Sequence, residues 1–190
     1  MLDVLFITPN SAKTNYQSLS KKYSAVETPT WSLLLAESCR SIGKKVAILD
    51  CQAENLCDVS VIKRLENIKT RLICFVVYGQ NVNAGSTNML GAVRLCSEIK
   101  KKIQCMIGFI GSHVQALPEE TLKNEESIDF IFYNEGVYAL RNILNQKVIN
   151  SQSLSKIKGI AYKDSNRNII FNEGEKIVPN EKMDIDLPGY

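Results

Sequence analysis

The chain has 190 residues, 45% of them hydrophobic, which suits one globular domain with a short appendage. Its formal net charge is only +3, and the densest basic run, Lys100-Lys101-Lys102, falls at the end of a predicted helix where positive charge suits the dipole, so no nucleic-acid footprint is present. No apolar run reaches membrane-spanning length, strand-like residues begin at once without a signal peptide, and six dispersed cysteines form no CxxC pair, so the chain is expected to be cytoplasmic, off the membrane, and to hold free thiols rather than a metal cluster.

Leu2 to Thr8 reads as a first strand, and Pro9-Asn10-Ser11 opens a polar stretch running to about Thr28. Thr28 and Pro29 read as a helix cap and first-turn proline, followed by an apolar face of Trp31, Leu34, Leu35, Cys39 and Ile42 that ends at Gly43. Lys45 to Asp50 is a second strand, and Asp58 caps a helix whose inner face is Val61, Ile62, Leu65 and Ile68. Leu72-Ile73-Cys74-Phe75-Val76-Val77 is short and rich in β-branched and aromatic residues, the pattern of a strand buried on both faces.

The next stretch runs Tyr78-Gly79-Gln80-Asn81-Val82-Asn83-Ala84-Gly85-Ser86-Thr87-Asn88, with two glycines and four amide side chains. It reads as a strand-to-helix loop, with Ser86 at the N-terminus of a helix that runs to about Lys101. Gln104 to Ile110 is a fourth strand ending in Gly111-Ser112-His113, and Pro118-Glu119-Glu120 opens a short helix. Ile128 to Tyr133 is a fifth strand, followed by Asn134-Glu135-Gly136 and a helix with Val137, Leu140, Ile143 and Leu144 on one side. Five alternations of strand and helix predict a Rossmann-like or flavodoxin-like α/β domain, doubly wound, with a five-stranded, mainly parallel sheet. After Gln146, runs around Gly159–Lys163 and Asn168–Asn172 flank a turn and predict a β-hairpin appendage, and the charged segment from Lys176 to Tyr190 reads as a linker. The expected division is therefore residues 1–146 as the α/β domain and residues 147–190 as hairpin and linker.

In such sheets ligands bind beyond the carboxyl ends of the strands, where all the unusual loops of this chain fall. GxGxxG, a Walker lysine and the carboxylate cluster of a receiver domain are all absent, and Pro9-Asn10-Ser11-Ala12-Lys13-Thr14 is a poor flavodoxin phosphate loop. The Tyr78–Asn88 loop instead offers neutral groups that both donate and accept, with glycines where a ligand could press on backbone.

Several segments, in order, resemble the N-terminal cobalamin-binding domain of B12-dependent radical SAM proteins. They are Ala25-Val26-Glu27-Thr28-Pro29-Thr30-Trp31 leading to Arg40-x-x-Gly43, Val46-Ala47-Ile48-Leu49-Asp50, the Tyr78–Thr87 loop, Gly111-Ser112-His113 with Ala116 to Leu122, Asp129-Phe130 with Asn134 to Val137, Ile157 to Tyr162, and Asp186-Leu187-Pro188. The chain departs from the family where Gly-Gly-x-His is usual, having Ile110-Gly111-Ser112-His113, and where Gly-Glu-Gly-Glu is usual, having Asn134-Glu135-Gly136-Val137. It also lacks Asp-x-His-x-x-Gly, the source of a lower cobalt ligand in other cobalamin domains, so His113 is expected to hydrogen-bond backbone and no protein metal ligand is expected.

The resemblance implies a methyltransferase-like module that binds cobalamin, and hence cobalt, but is not catalytic alone. Its partner would be a radical SAM domain, in cis or in trans, that holds the S-adenosylmethionine and the 4Fe-4S cluster. The cofactor contacts it implies are Pro9, Asn10, Tyr78, Gly79, Gln80, Asn81, Asn83, Ser86, Thr87, Gly111, Ser112, His113, Asn134, Glu135, Gly136 and Val137, with Ser86 placed to meet the cofactor's phosphate. The alternative is a flavodoxin-like module that binds a small molecule or nucleotide, or a protein-interaction domain, without cobalamin.

Overall fold

Six consecutive buried residues, Leu72–Val77, form an interior strand of the sheet. The computed structural model describes residues 1–11, 26–79 and 82–189. In chain order its elements are β1 (Val4–Thr8), α1 (Thr30–Arg40), β2 (Val46–Asp50), α2 (Asp58–Leu65), β3 (Leu72–Val77), α3 (Val82–Lys102), β4 (Met106–Gly111), α4 (Ser112–Ala116), α5 (Pro118–Asn124), β5 (Phe130–Phe132), α6 (Val137–Leu144), α7 (Ser151–Leu154), β6 (Ile160–Lys163), β7 (Ile169–Phe171), a 3-10 turn (Asn180–Lys182) and α8 (Met183–Asp186). The strand order is β2-β1-β3-β4-β5-β6-β7. The first five strands pair in parallel, and β6 and β7 are antiparallel to their neighbours.

Alternation along the strands divides the core into two layers. Val4, Phe6, Cys74, Val76, Phe130 and Phe132 face α1 and α6, meeting Leu35, Cys39, Leu140 and Ile143. Leu5, Ile7, Ile73, Phe75, Ile107 and Phe109 face the other way, toward Val61 and Leu65 of α2 and Ala92, Cys96 and Ile99 of α3. Phe75 and Phe109 stack with centroids 4.6 Å apart. Gly108 leaves room for the Phe130 ring, since a Cβ there would lie 2.3 Å from it.

The sheet is therefore mixed and seven-stranded, and the hairpin is part of it rather than an appendage. β5 is only three residues, all buried, and left at an edge it would expose unpaired backbone. β6 covers that edge, pairing Ile131 with Ala161. The tail also differs from the expected linker, because Val178 and Leu187 are buried in the α1/α6 layer.

Helix boundaries shift as well. α1 begins at Thr30, and Thr28 serves it through its carbonyl, which accepts the Thr30 N–H at 2.8 Å, rather than through a side-chain cap. Asp58 lies in the first turn of α2, not at its cap, and pairs with Arg94 of α3 at 2.7 Å. Residues 112–116, read as loop, form α4. Among the described residues no helix is long and apolar enough to cross a membrane.

Candidate functional site

From β1 the chain crosses to β2 on one side, and from β3 to β4 on the other, so strand order reverses between β1 and β3. A crevice outside the carboxyl ends of the strands is expected there. Four loops converge on this rim.

After β1, Pro9 is buried, and Asn10 Nδ2 donates to the Leu56 carbonyl at 3.4 Å. Ser11 Oγ donates to the Asn88 carbonyl at 3.2 Å, which ties this loop to α3. The approach is close, because a Cβ at Gly91 would lie 2.7 Å from Ser11 Oγ.

After β3, Tyr78 packs edge-on against Trp31 of α1, centroids 5.7 Å apart. Asn88 Nδ2 reaches back to the Tyr78 carbonyl at 3.1 Å. Gly79 is needed where it stands, since a Cβ would lie 2.5 Å from Ala84 Cβ. Gln80 and Asn81 lie outside the described residues, and Asn83 belongs to the first turn of α3. Because α3 starts at Val82, Ser86 is one turn inside the helix and is not its cap. Thr87 Oγ1 donates back to the Ala84 carbonyl at 3.0 Å.

After β4, Gly111 passes so near β3 that a Cβ would lie 2.1 Å from the Val77 carbonyl oxygen. Ser112 Oγ is buried and has no partner among the described residues, and the same holds for Trp31 Nε1. His113 sits on α4, and its Nδ1 lies 3.2 Å from Ser86 Oγ. Its partner is thus a side chain of α3 rather than the backbone expected from sequence.

After β5, Gly136 takes a left-handed conformation, φ 76°, and its N–H donates to Asn134 Oδ1 at 2.8 Å. Asn134 Nδ2 donates to the Glu175 carbonyl at 3.1 Å, and the Glu135 carboxylate accepts the Val178 N–H. Val137 is buried and starts α6.

Gln115 joins three of these loops. Its Nε2 donates to Tyr78 Oη at 3.0 Å and to the Asn134 carbonyl at 2.7 Å. Nothing local marks Gln115, because its partners are 37 and 19 residues away. Burial pushes the Tyr78 phenol up to about 12, against the opposing pull of the Gln115 hydrogen bond. The phenol is therefore neutral and able to donate.

The rim presents mainly amides, hydroxyls and one imidazole. A cleft of about 360 Å³ lies instead at the other end of the strands, lined by Thr70, Arg71, Lys100 and Cys105 among others. Its cations are committed: Arg71 pairs with Asp3 at 3.0 Å and Lys100 with Asp129 at 2.6 Å. The loop chemistry therefore places the candidate site at the rim.

No family model and no curated protein matches this sequence. Solved structures do. The cobalamin-dependent S-adenosylmethionine radical enzyme OxsB, with aqua-cobalamin and S-adenosylmethionine bound, superposes over 97% of this chain with a TM-score of 0.63 at 20% identity. The radical S-adenosylmethionine methyltransferase TsrM from Kitasatospora setae, with cobalamin and a 4Fe-4S cluster bound, superposes over 95% with a TM-score of 0.66 at 13% identity. At these identities the likeness shows a shared α/β fold. The chain spans 24% of the length of the first and 30% of the second.

Proposed function

We propose that this chain is a cobalamin-binding module of a B12-dependent radical SAM enzyme, methyltransferase-like, which presents its cofactor to a catalytic domain supplied in cis or in trans. The observation that carries the reading is the mainly uncharged polar rim at the β1/β3 switch point, on a fold shared with proteins solved with cobalamin bound. Cobalamin is a broad corrin edged with carboxamides. The rim suits it, because Asn and Ser side chains both donate and accept, the buried Ser112 hydroxyl has a hydrogen-bonding valence left over, and Gly79 and Gly111 keep the backbone bare.

In this reading Pro9, Asn10, Tyr78, Gly79, Gln80, Asn81, Asn83, Ser86 and Thr87 hold one side of the cofactor, and Gly111, Ser112, His113 and Asn134 to Val137 the other. When bound, cobalamin supplies a cobalt that can carry a methyl group. The protein's part is to orient the macrocycle and keep water from its reactive face. His113 is engaged by Ser86 and is assigned no cobalt ligation. Residues 147–190 complete the sheet and lead toward the radical SAM domain, and the compartment is the cytoplasm.

The strand order 2-1-3-4-5 within the sheet is also that of flavodoxin-like proteins, which favours a nucleotide-binding module as the second reading. Titration of the full chain with hydroxocobalamin and, separately, with FMN separates the two. Co-elution and a shifted corrin spectrum are expected with the first ligand only, and binding of FMN alone would replace the proposal. Asn83→Leu, which removes a donor and an acceptor, is expected to weaken cobalamin binding about tenfold with the circular dichroism unchanged. It is a cleaner probe than Gly79→Val, which would collide with Ala84 whether or not a ligand is present.

A further inference from the structure

After β7 the chain runs along the β5–α6 part of the rim. The Asn134 amide holds the Glu175 carbonyl at 3.1 Å, the Glu135 carboxylate holds the Val178 N–H, and Val178 is 5% exposed. Eight residues later the segment is fastened again. Asp186 Oδ2 accepts from Tyr138 Oη at 2.6 Å and Oδ1 from Arg141 Nη1 at 2.6 Å. The Asp186 carbonyl accepts from Arg141 Nη2 at 2.8 Å and from Ser38 Oγ at 2.6 Å. Arg141 also donates from Nε to Ser38 Oγ at 2.9 Å and from Nη2 to Ser41 Oγ at 3.0 Å. The Arg141 and Asp186 side chains are only 11% and 15% exposed, so this is a sheltered pair with its hydrogen-bonding groups used, unlike an ordinary surface ion pair.

We propose that residues 175–187 form a strap that positions the site, with Asp186 and Arg141 as its latch. Each fastening lies on an element that ends at the rim. The front of the strap grips Asn134 and Glu135, both rim residues. The latch joins α6, which begins directly after Gly136, to α1. The N-terminal turn of α1 carries Trp31 against Tyr78, and Ser32 Oγ lies 3.2 Å from Thr8 Oγ1 at the end of β1. Between Asn134 and Gly136 the chain is not in a strand, so its side-chain tertiary hydrogen bonds come from the strap and from Gln115. Loosening the latch therefore frees the β5–α6 rim and the aromatic wall together. Asp186 and Arg141 act as positioning residues through Asn134, Glu135 and Trp31. The consequence for a ligand rests on the cobalamin reading, but the mechanical claim does not.

The test is hydrogen exchange on the full chain, wild type against Asp186→Ala and Arg141→Lys, together with the emission of Trp31, the sole tryptophan. The lysine variant keeps the charge and loses the fork, so a merely charge-dependent role would leave it unaffected. In both variants amides of residues 134–137 and 175–187 should exchange at least tenfold faster, on the order expected for a lost charge-assisted hydrogen bond, and Trp31 emission should shift, with β1 and β3 unchanged. Should Asp186→Ala not fold, the near-isosteric Asp186→Asn takes its place. Faster exchange confined to residues 175–187, with residues 134–137 and Trp31 unmoved, would overturn the proposal. Hydroxocobalamin affinity is then compared, with a several-fold loss expected in the variants. A wild-type chain that binds none overturns the functional reading, while the exchange and emission results still decide the strap.

Discussion

Gly85 lies inside a helix, where glycine costs about 0.5–1 kcal/mol relative to alanine. The compensation is across the rim: a Cβ there would lie 2.2 Å from Ser112 Oγ, and the next contact, Ser112 Cβ, is at 3.6 Å. Ser112 Oγ is itself buried with no partner among the described residues, a cost of about 1–3 kcal/mol for a hydroxyl. The two residues should therefore be strongly coupled. Ser112→Ala alone is expected to stabilise the fold by about 1 kcal/mol. Gly85→Ala alone should destabilise by about 1–3 kcal/mol through overpacking. In the Ser112→Ala background the same change should be neutral, or stabilising by up to about 1 kcal/mol, because the clashing atom is gone and helix propensity remains. A urea-denaturation double-mutant cycle reads the coupling, and additive effects would mean that Gly85 is not there for Ser112. The same contact explains why sequence misplaced this stretch. Gly85 beside Ser86 looks locally like the end of a loop and a cap, and only a residue 27 positions away, His113 against Ser86, and its neighbour Ser112 give the pair a reason to be helical.

At the scale of elements, the parts read well from sequence were those whose cause is local. β3 is legible because six apolar residues in a row can only be covered on both faces, and α1 and α6 because their apolar residues recur at helical spacing. α4 was not legible, being five residues long with a single buried apolar side chain. The strap was not legible either. Residues 180–186 are mostly polar and show no period, and they are held by partners 45 and 148 residues away. Its order depends on an ionised carboxylate. The hydrogen bond from Tyr138, and then that from Arg141, hold Asp186 below the usual carboxylate range, with a smaller contribution from Lys182. A group whose folded pKa is depressed stabilises above its unfolded value, about 3.9 for aspartate, and loses that contribution as pH falls through the folded value. The strap should therefore stay closed at neutral pH and open only in acid below about pH 4. Trp31 emission and proteolysis of the tail, followed from pH 7 down, should show this step in the wild type. Asp186→Asn cannot ionise, so its tail should be cleaved at a rate that shows no such step. An unchanged acid transition in that variant would assign it to another carboxylate.

For the whole molecule, the question is whether this chain can do radical chemistry by itself. Such chemistry needs clustered thiolates to hold four irons, and all six cysteines are free. Cys39 and Cys74 lie in the core layer under α1 and α6, whereas Cys51 and Cys96 lie in the opposite layer. Cys57 is exposed before α2, and Cys105 precedes β4 at the amino end of the sheet. Burial also raises most of these thiols. It pushes Cys39, Cys51 and Cys96 up to about 12, Cys105 to about 11, and Cys74 higher still, so these thiols stay protonated near neutral pH. Cys57 alone is shifted down, chiefly by its hydrogen bond with Ser60, and one thiolate does not make a cluster site. In sequence the six cysteines form no CxxC pair, and among the described residues no group of three or more His, Cys, Asp or Glu side chains is placed to hold a metal ion. The isolated chain, reconstituted anaerobically with iron and sulfide and given S-adenosylmethionine and a reductant, is expected to form no 5′-deoxyadenosine above a no-protein control and to show no four-iron signal. If it binds hydroxocobalamin under the same conditions, cofactor presentation and radical generation are separable, and adding a radical SAM domain in trans becomes the way to restore turnover. Formation of 5′-deoxyadenosine by the chain alone would overturn the proposal that this chain is a presenting module.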